Sequence, residues 1–438
     1  MASNGVGGAR GQWPVVAGWV VTRAVVLLCV LRVVVLPGPD VTTDVSVIYQ
    51  GWFEVLRSGT YPLDDVTWQY PPAAALAVLS PALLPFLGYA PAFYVLVAVA
   101  DALVLALLLR AGGGAPGSVR AGHRTGHRQA GAWVWVVGVA LLGPTAYARY
   151  DLMVVAVAVA ALYAATRRPR VAGALIAFGA LLKVWPALLL TGAALHGRRA
   201  RALWRSAAGT AAGLTLCCVA AAPGALAFLT FQRDRGTEIE SLGGLVFQLA
   251  RHYGWDGEVL LNYGSVEFLG PGVPLVSTLA LVLSGAALGW LVLWRTRVRE
   301  LTRSTLCDAA FTATLLLTTT SRVISPQYML WLVGLAAVCM TTRGSRQGLP
   351  ALLVLLATGL TLLEFPVGFA HVVAGDLRGV VPLALRNGLL VAASLVACRR
   401  LWVSTRGGPT ERADVVRSRP PLSGAGPEAA AHTPATSV

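Results

Sequence analysis

The chain has little charge and almost no lysine. Charged residues make up 13% of its 438 residues, about half the roughly 25% of an ordinary soluble domain. That shortage excludes a water-soluble globule with a normal polar surface. Lys183 is the single lysine, against 34 arginines. Cysteine is also scarce. The six residues Cys29, Cys217, Cys218, Cys307, Cys339 and Cys398 lie in or at the ends of apolar segments, with no metal-ligand spacing. They read as small buried hydrophobes, not as disulfides or zinc ligands. Internal repeats are missing too.

What the chain has instead is apolar length. It is 56% hydrophobic with a mean hydropathy of +0.67, and a bilayer-crossing helix needs about 20 mostly apolar residues. Candidate segments are 14–36, 71–88, 91–110, 131–147, 151–166, 171–182, 185–196, 203–230, 272–294, 306–320, 328–342, 348–364 and 381–398. The first is too long for a signal-peptide core and no small-x-small cleavage site follows it, so it is expected as a retained helix. The net charge of +15 is explained by arginines gathered on cytoplasmic loops under the positive-inside rule, without nucleic acid. Abundant Ala, Val, Gly and Arg point to a high-GC genome of actinobacterial type.

Charge sorts the connections. The arginine-rich ones, around Arg110–Arg128, Arg167–Arg170, Arg198–Arg205, Arg295–Arg303 and Arg343–Arg346, are assigned to the cytoplasm with both termini. Loops 37–70, 145–150, 231–271, 321–327 and 365–380 are assigned outside. Parity leaves about twelve crossings, and one of the segments 71–88 and 91–110 must be re-entrant or interfacial. Segments 171–182 and 185–196 fit a tight hairpin whose tip is Lys183-Val-Trp-Pro186. The fold class expected is an all-α polytopic membrane protein. Residues 1–400 form the transmembrane domain and 401–438 a disordered cytoplasmic tail.

Of 20 acidic residues, five lie in loop 37–70 (Asp40, Asp44, Glu54, Asp64, Asp65) and six in loop 231–271. A channel or simple transporter keeps its charges at the midplane, so outer-surface chemistry is indicated. Val45, Ile48, Tyr49, Trp52, Phe53 and Leu56 recur at helical spacing and predict an amphipathic helix ended by Gly59, lying on the membrane surface. Asp44 opens it, as a helix cap or as a catalytic carboxylate. Lys183 stands in an apolar run, either snorkelling to the interface or holding a lipid-linked phosphate. Arg233 and Arg235 are either phosphate forks or partners of Asp234, Glu238 and Glu240. Asp151 starts a helix and reads as its cap. Arg149 is placed to pair with it or to face a substrate, and Gln327 and Tyr328 suit sugar hydroxyls. Asp64-Asp65 would hold a divalent ion only weakly. Asp101, Asp308, Arg23 and Arg32 lie inside segments with no partners readable.

Ordered along the chain are Asp44-x4-Tyr49, Gly59-Thr-Tyr61-Pro62, Trp68-Gln-Tyr70-Pro71-Pro72 and Arg149-Tyr-Asp151. These are followed by Gly173-x9-Lys183-Val-Trp-Pro186, Arg235-Gly236-x3-Glu240-Ser241 and Ser325-Pro-Gln-Tyr328-x2-Trp331. In order and spacing this set resembles glycosyltransferase family 87, membrane enzymes of the GT-C superfamily. The resemblance implies a GT-C bundle with an outward-facing active site on the plasma membrane. The donor would be a polyprenyl-phosphate sugar, mannose in the best-understood members, and the acceptor a glycolipid or cell-envelope glycan, as in lipoglycan biosynthesis. It places the key carboxylate at Asp44. Some members carry histidines just after the Ser-Pro motif, where this chain has Gln327 and Tyr328.

The expectation is thus an inverting α-mannosyltransferase with Asp44 as base and Lys183, Arg235 and Arg322 on the donor phosphate. Tyr49, Tyr70, Arg149, Asp151, Glu240, Gln327 and Tyr328 would bind sugar or acceptor. Polyprenyl phosphate is already a good leaving group, so no metal or other cofactor is required. The rivals are a transporter or lipid flippase, and a same-fold enzyme using polyprenyl-phosphate-arabinose.

Overall fold

The computed structural model describes residues 6–113, 125–231 and 236–406. It is a helical bundle. Six helices are long and apolar enough to cross a membrane: Gly11–Val30, Tyr89–Gly112, Gln129–Ala146, Val273–Arg297, Gly348–Val367 and Leu377–Thr405. Shorter apolar helices, among them Asp151–Ala165, Pro169–Leu182 and Tyr328–Thr341, lie between them. The last of these is buried along most of its length. A helix apolar all round belongs at the centre of a bundle, whereas Val273–Arg297 keeps most of its length exposed, as a lipid-facing helix does.

Of the segments 71–88 and 91–110, the first holds only short helices. It forms Ala74–Leu79 and a 3₁₀ turn Ser80–Leu83. At 1.5 Å per residue that is about 15 Å, half a hydrocarbon core. Its neighbour Tyr89–Gly112 has 24 residues. The expected hairpin at Lys183 is also present, with an unexpected second arm. Pro169–Leu182 is an α-helix and Trp185–Gly192 a 3₁₀ segment. Gly173 makes the outgoing helix fit, since a Cβ there would meet the Leu203 carbonyl oxygen of helix Arg198–Ala221 at 2.2 Å. Small residues at such crossings let helices approach closely.

Hydrogen bonds sort the loops into the two groups that charge predicted. At one end, Tyr61 N–H donates to Pro223, the Gln69 amide to the Tyr263 carbonyl, and Glu238 N–H to the Arg322 carbonyl. At the other, Arg295 donates to the Ala193 carbonyl and Arg299 N–H to the Thr405 carbonyl. The final helix runs on through Thr405, into the stretch 401–438 assigned to a tail. Residues 407–438 lie outside the described residues.

Loop 231–271 contains a small antiparallel sheet. β1 is Thr237–Glu238, β2 Glu258–Asn262 and β3 Ser265–Leu269, in the order β1-β3-β2. Tyr263 (φ 48°) and Gly264 (φ 76°) join β2 to β3. Two central residues with positive φ match the right-handed twist of a hairpin.

The intramembrane charges find partners. Arg23 forks onto Asp101 (Nε to Oδ2 2.6 Å, Nη2 to Oδ1 3.2 Å). Trp19, Trp135 and Tyr147 also donate to that carboxylate. Both charges are buried, and a buried pair tolerates its desolvation only when its remaining lone pairs are satisfied. Tyr147→Phe removes one charged hydrogen bond and should cost about 1.5–3 kcal/mol. Thermal unfolding in detergent would show this as a lowered Tm.

Candidate active site

Four chain segments converge at the acidic-loop end. The first is the surface helix. Asp40 Oδ1 accepts from Thr42 N (3.0 Å) and Thr42 Oγ1 (2.6 Å), and Arg32 pairs with its other oxygen at 2.6 Å. This tight turn launches a π-helical turn Asp44–Tyr49 that continues as α-helix Gln50–Arg57. Val45, Tyr49 and Trp52 face inward and Val47 and Val55 outward, as the periodicity required.

Asp44 does not cap this helix. The residue before the helix is Thr43, with no side-chain cap bond, and the Asp44 carboxylate is paired with the Arg149 guanidinium. The side chains are 25% and 13% exposed, so the pair stands at the edge of solvent. Burial pushes the Asp44 carboxyl above its ordinary value while Arg149 pulls it back down. Arg149 also donates to the carbonyls of Ala148 (2.9 Å) and Val41 (3.4 Å). It therefore fixes the surface helix to the bundle.

Asp151 is likewise not a cap. Lys183 Nζ lies 2.7 and 2.8 Å from its two oxygens, and Trp331 Nε1 donates to it at 2.6 Å. The Lys183 ammonium sits over the rings of Tyr70, Tyr150, Tyr328 and Trp331 at 5.2–5.8 Å. Such cation–ring contacts are worth about 0.5–2 kcal/mol each, most where water is excluded. Tyr328 stacks on Trp331 at 3.9 Å, with Trp185 on Trp331 at 5.5 Å. Tyr70 meets Tyr150 edge-on at 5.3 Å, and Tyr150 meets Tyr49 at 5.9 Å. Tyr49 Oη is buried without a hydrogen-bond partner among the described residues. The ring chain thus joins the Asp44–Arg149 pair to the Asp151–Lys183 pair.

The structure therefore brings together Asp44, Tyr49, Tyr70, Arg149, Asp151, Lys183 and Tyr328. Gln327 immediately precedes Tyr328 at the start of its helix, partly exposed. Arg235 lies outside the described residues. Glu240 sits in a second, buried cluster instead. Arg386 lies 2.5 Å from Glu364 and 3.9 Å from Glu240, and its Nη2 donates to the Glu240 carbonyl at 3.1 Å. Burial and the neighbouring glutamates push the Glu240 carboxyl well above its ordinary value. Asn387 donates to the carbonyls of Glu240 and Ser241 (both 3.3 Å). Glu238 accepts from Ile324 N (2.6 Å) and Ser325 Oγ (3.3 Å), and Arg322, just before, accepts on its carbonyl from Glu238 N. This cluster holds the loop that leads into Gln327 and Tyr328. Sequence reasoning missed Arg386, Glu364 and Asn387, whose one signal was a charged or polar side chain within apolar segments.

Asp65 is also committed. Its oxygens accept from Trp52 Nε1 (2.7 Å) and from Thr67 N (2.9 Å) and Oγ1 (2.5 Å). A carboxylate so engaged serves as a turn anchor.

Fold and site define a polytopic helical membrane protein with paired carboxylates and cations, lined by aromatic rings, at one end of its bundle. The sequence profile of glycosyltransferase family 87 matches residues 68–326, more than half of the chain. The chain belongs to that family and is a membrane glycosyltransferase. No functionally curated protein matches it.

Proposed function

We propose that the protein transfers a sugar, mannose, from a polyprenyl-phosphate donor to a glycolipid or cell-envelope glycan acceptor on the outer face of the plasma membrane. The observation that carries this reading is the Asp44–Arg149 pair, at the edge of solvent and linked by aromatic rings to the Asp151–Lys183 pair. Asp44 accepts the proton of the acceptor hydroxyl. The hydroxyl oxygen attacks the anomeric carbon, whose bond to the phosphate oxygen breaks with inversion. Polyprenyl phosphate leaves with the bonding electrons. Lys183, Arg235 and Arg322 receive its charge; Asp151 holds Lys183, so the phosphate engages the ammonium in competition with that carboxylate. Tyr49, Tyr70, Arg149, Asp151, Gln327 and Tyr328 line the sugar and acceptor, with Glu240 acting through its loop.

The lipid-facing helices and short segments suit a donor that reaches the site from the bilayer. Membranes containing the protein should consume radiolabelled polyprenyl-phosphate-mannose and form a mannosylated lipid or glycan. Consumption of the arabinose donor alone would overturn the mannose assignment, and consumption of neither would overturn the donor class.

The raised Asp44 carboxyl sets the pH dependence. The carboxylate is the working form, so kcat/KM should rise with pH through an acid limb lying above the ordinary carboxylate range. Arg149→Gln removes the charge that lowers it and should move the limb higher still. The effect on stability runs the other way. A carboxyl whose folded pKa is raised favours the folded state when protonated, and that contribution fades as pH rises through the folded value.

A further inference from the structure

At the arginine-rich end, far along the chain from the acidic loops, three buried groups meet. Cys307 and Asp308 lie in the first turn of helix Thr305–Thr320, and Cys339 in the last turn of helix Tyr328–Thr341. They are 4%, 1% and 0% exposed. One ligand atom from each (two Sγ and a carboxylate oxygen) lies within 4.8 Å of the others. Read along the sequence, these cysteines had no metal spacing, because 32 positions and a whole loop separate them. The fold supplies the proximity.

Two observations point beyond a chance apolar packing of thiols. First, Asp308 is a buried carboxylate with no arginine, lysine or histidine paired to it among the described residues. An isolated buried carboxylate is costly unless a cation or a proton accompanies it. The intramembrane Asp101 and Asp151 each have such a cation. Second, the surroundings are built like those of a liganding carboxylate. Ser345 Oγ donates to Asp308 Oδ1 at 2.6 Å and the Cys307 thiol lies 3.9 Å from the same oxygen, with the Ser304 and Cys339 side chains also hydrogen-bonded to the carboxylate, which orients the group toward both thiols. Ser345 Oγ in turn accepts from Gln347 N at 3.3 Å. The Gln347 side chain is 1% exposed, and neither its Nε2 nor its Oε1 has a hydrogen-bond partner among the described residues. Hydrogen-bonded second partners of this kind fix metal ligands in place.

We propose that Cys307, Asp308 and Cys339 bind a thiophilic divalent cation, zinc being the physiological one. Two thiolates and one carboxylate are a zinc donor set. Zn–S bonds of about 2.3 Å need only a small contraction of the present spacing. The two cysteine protons leave as the metal enters, one of them now donated by Cys307 Sγ to the Ser304 carbonyl at 3.1 Å. Two thiolates and the carboxylate then carry three negative charges against two on the metal. The three ligands leave a fourth position for water or a neighbouring oxygen. A metal here ties the start of one central helix to the end of the next, and both to the turn at Ser345.

The test uses the full-length protein purified in detergent with reduced thiols. Elemental analysis should find about one zinc per chain. After chelation, titration with cobalt(II) should produce the thiolate-to-cobalt charge-transfer band. Cys307→Ser and Cys339→Ser should each lose that band, and Cys217→Ser with Cys218→Ser should keep it. Ser345→Ala should bind cobalt about 10–100-fold more weakly. No zinc and no band from the wild-type protein, with all thiols counted as free, would overturn the proposal without recourse to any variant. A Cys307–Cys339 disulfide found by mass spectrometry in the freshly purified protein would overturn it as well.

Discussion

Asp44→Asn should lower kcat for sugar transfer by roughly 10²–10⁴-fold, the usual worth of a positioned general base, while the protein remains folded and inserted. The amide keeps the shape of the carboxylate and an oxygen that accepts from the Arg149 guanidinium. The surface helix therefore stays moored to the bundle. What the variant loses is the ability to take a proton. Asp44→Glu keeps the proton acceptor and moves it by one methylene, so it should retain more activity than Asp44→Asn. Donor KM should change little in either, since the donor phosphate is assigned to the cationic groups. Turnover near wild type in Asp44→Asn would remove the residue from its catalytic role and leave it as one half of a structural pair with Arg149. Thermal unfolding of the same preparations separates a chemical loss from an unfolded site.

Lys183→Met should have the largest effect on stability. It strands the Asp151 carboxylate, 1% exposed, with Trp331 Nε1 as its remaining donor, and breaking one side of a buried pair costs about 3–5 kcal/mol. The double variant Lys183→Met with Asp151→Asn removes both charges. The asparagine still accepts from Trp331, so much of that stability should return. Activity should not return with it, because the ammonium that meets the donor phosphate is gone. Recovery of both stability and turnover in the double variant would reduce the pair to scaffolding. Loss of neither in Lys183→Met would contradict the buried pair itself. The readouts are Tm in detergent and initial rates at saturating acceptor across donor concentrations.

Much of the fold was legible because bilayers impose simple rules. Apolar length marked the helices, and arginine content sorted the loops into two sets that hydrogen bonds between them then reproduce. Charge parity required one of the segments 71–88 and 91–110 to fall short without saying which, and a 3.6-residue period found the helix at Val45–Leu56. Local rules failed where long-range contacts took over. Asp44 and Asp151 both stand at helix starts, so a capping rule claimed Asp151 and offered one of two readings of Asp44, yet their partners Arg149, Lys183 and Trp331 lie 32 to 180 positions away. No periodicity reports such a distance. Arg23–Asp101 and Arg386–Glu364 were hidden for the same reason. The β2–β3 hairpin escaped because Tyr263-Gly264 is a weaker turn signal than Asn-Gly, and its strands are short. Among the site residues, order along the chain carried Asp44, Tyr49, Tyr70 and Lys183 into one place. It carried Glu240 into another, since a loop's destination is set by what its backbone carbonyls find, here Arg386 and Asn387.

The aromatic box around Lys183 has a practical consequence. This is the one side-chain amine in the chain, and it is 8% exposed, held by a carboxylate and roofed by four rings. Amine-directed reagents acylate an unprotonated nitrogen that they can reach, and here both conditions fail together. The arginines on the rest of the surface do not compete for such a reagent. Slow acylation at Lys183, read by peptide mass apart from the faster α-amino group, therefore reports the opening of a single box, and a donor lipid that displaces Asp151 would change that rate at one known atom.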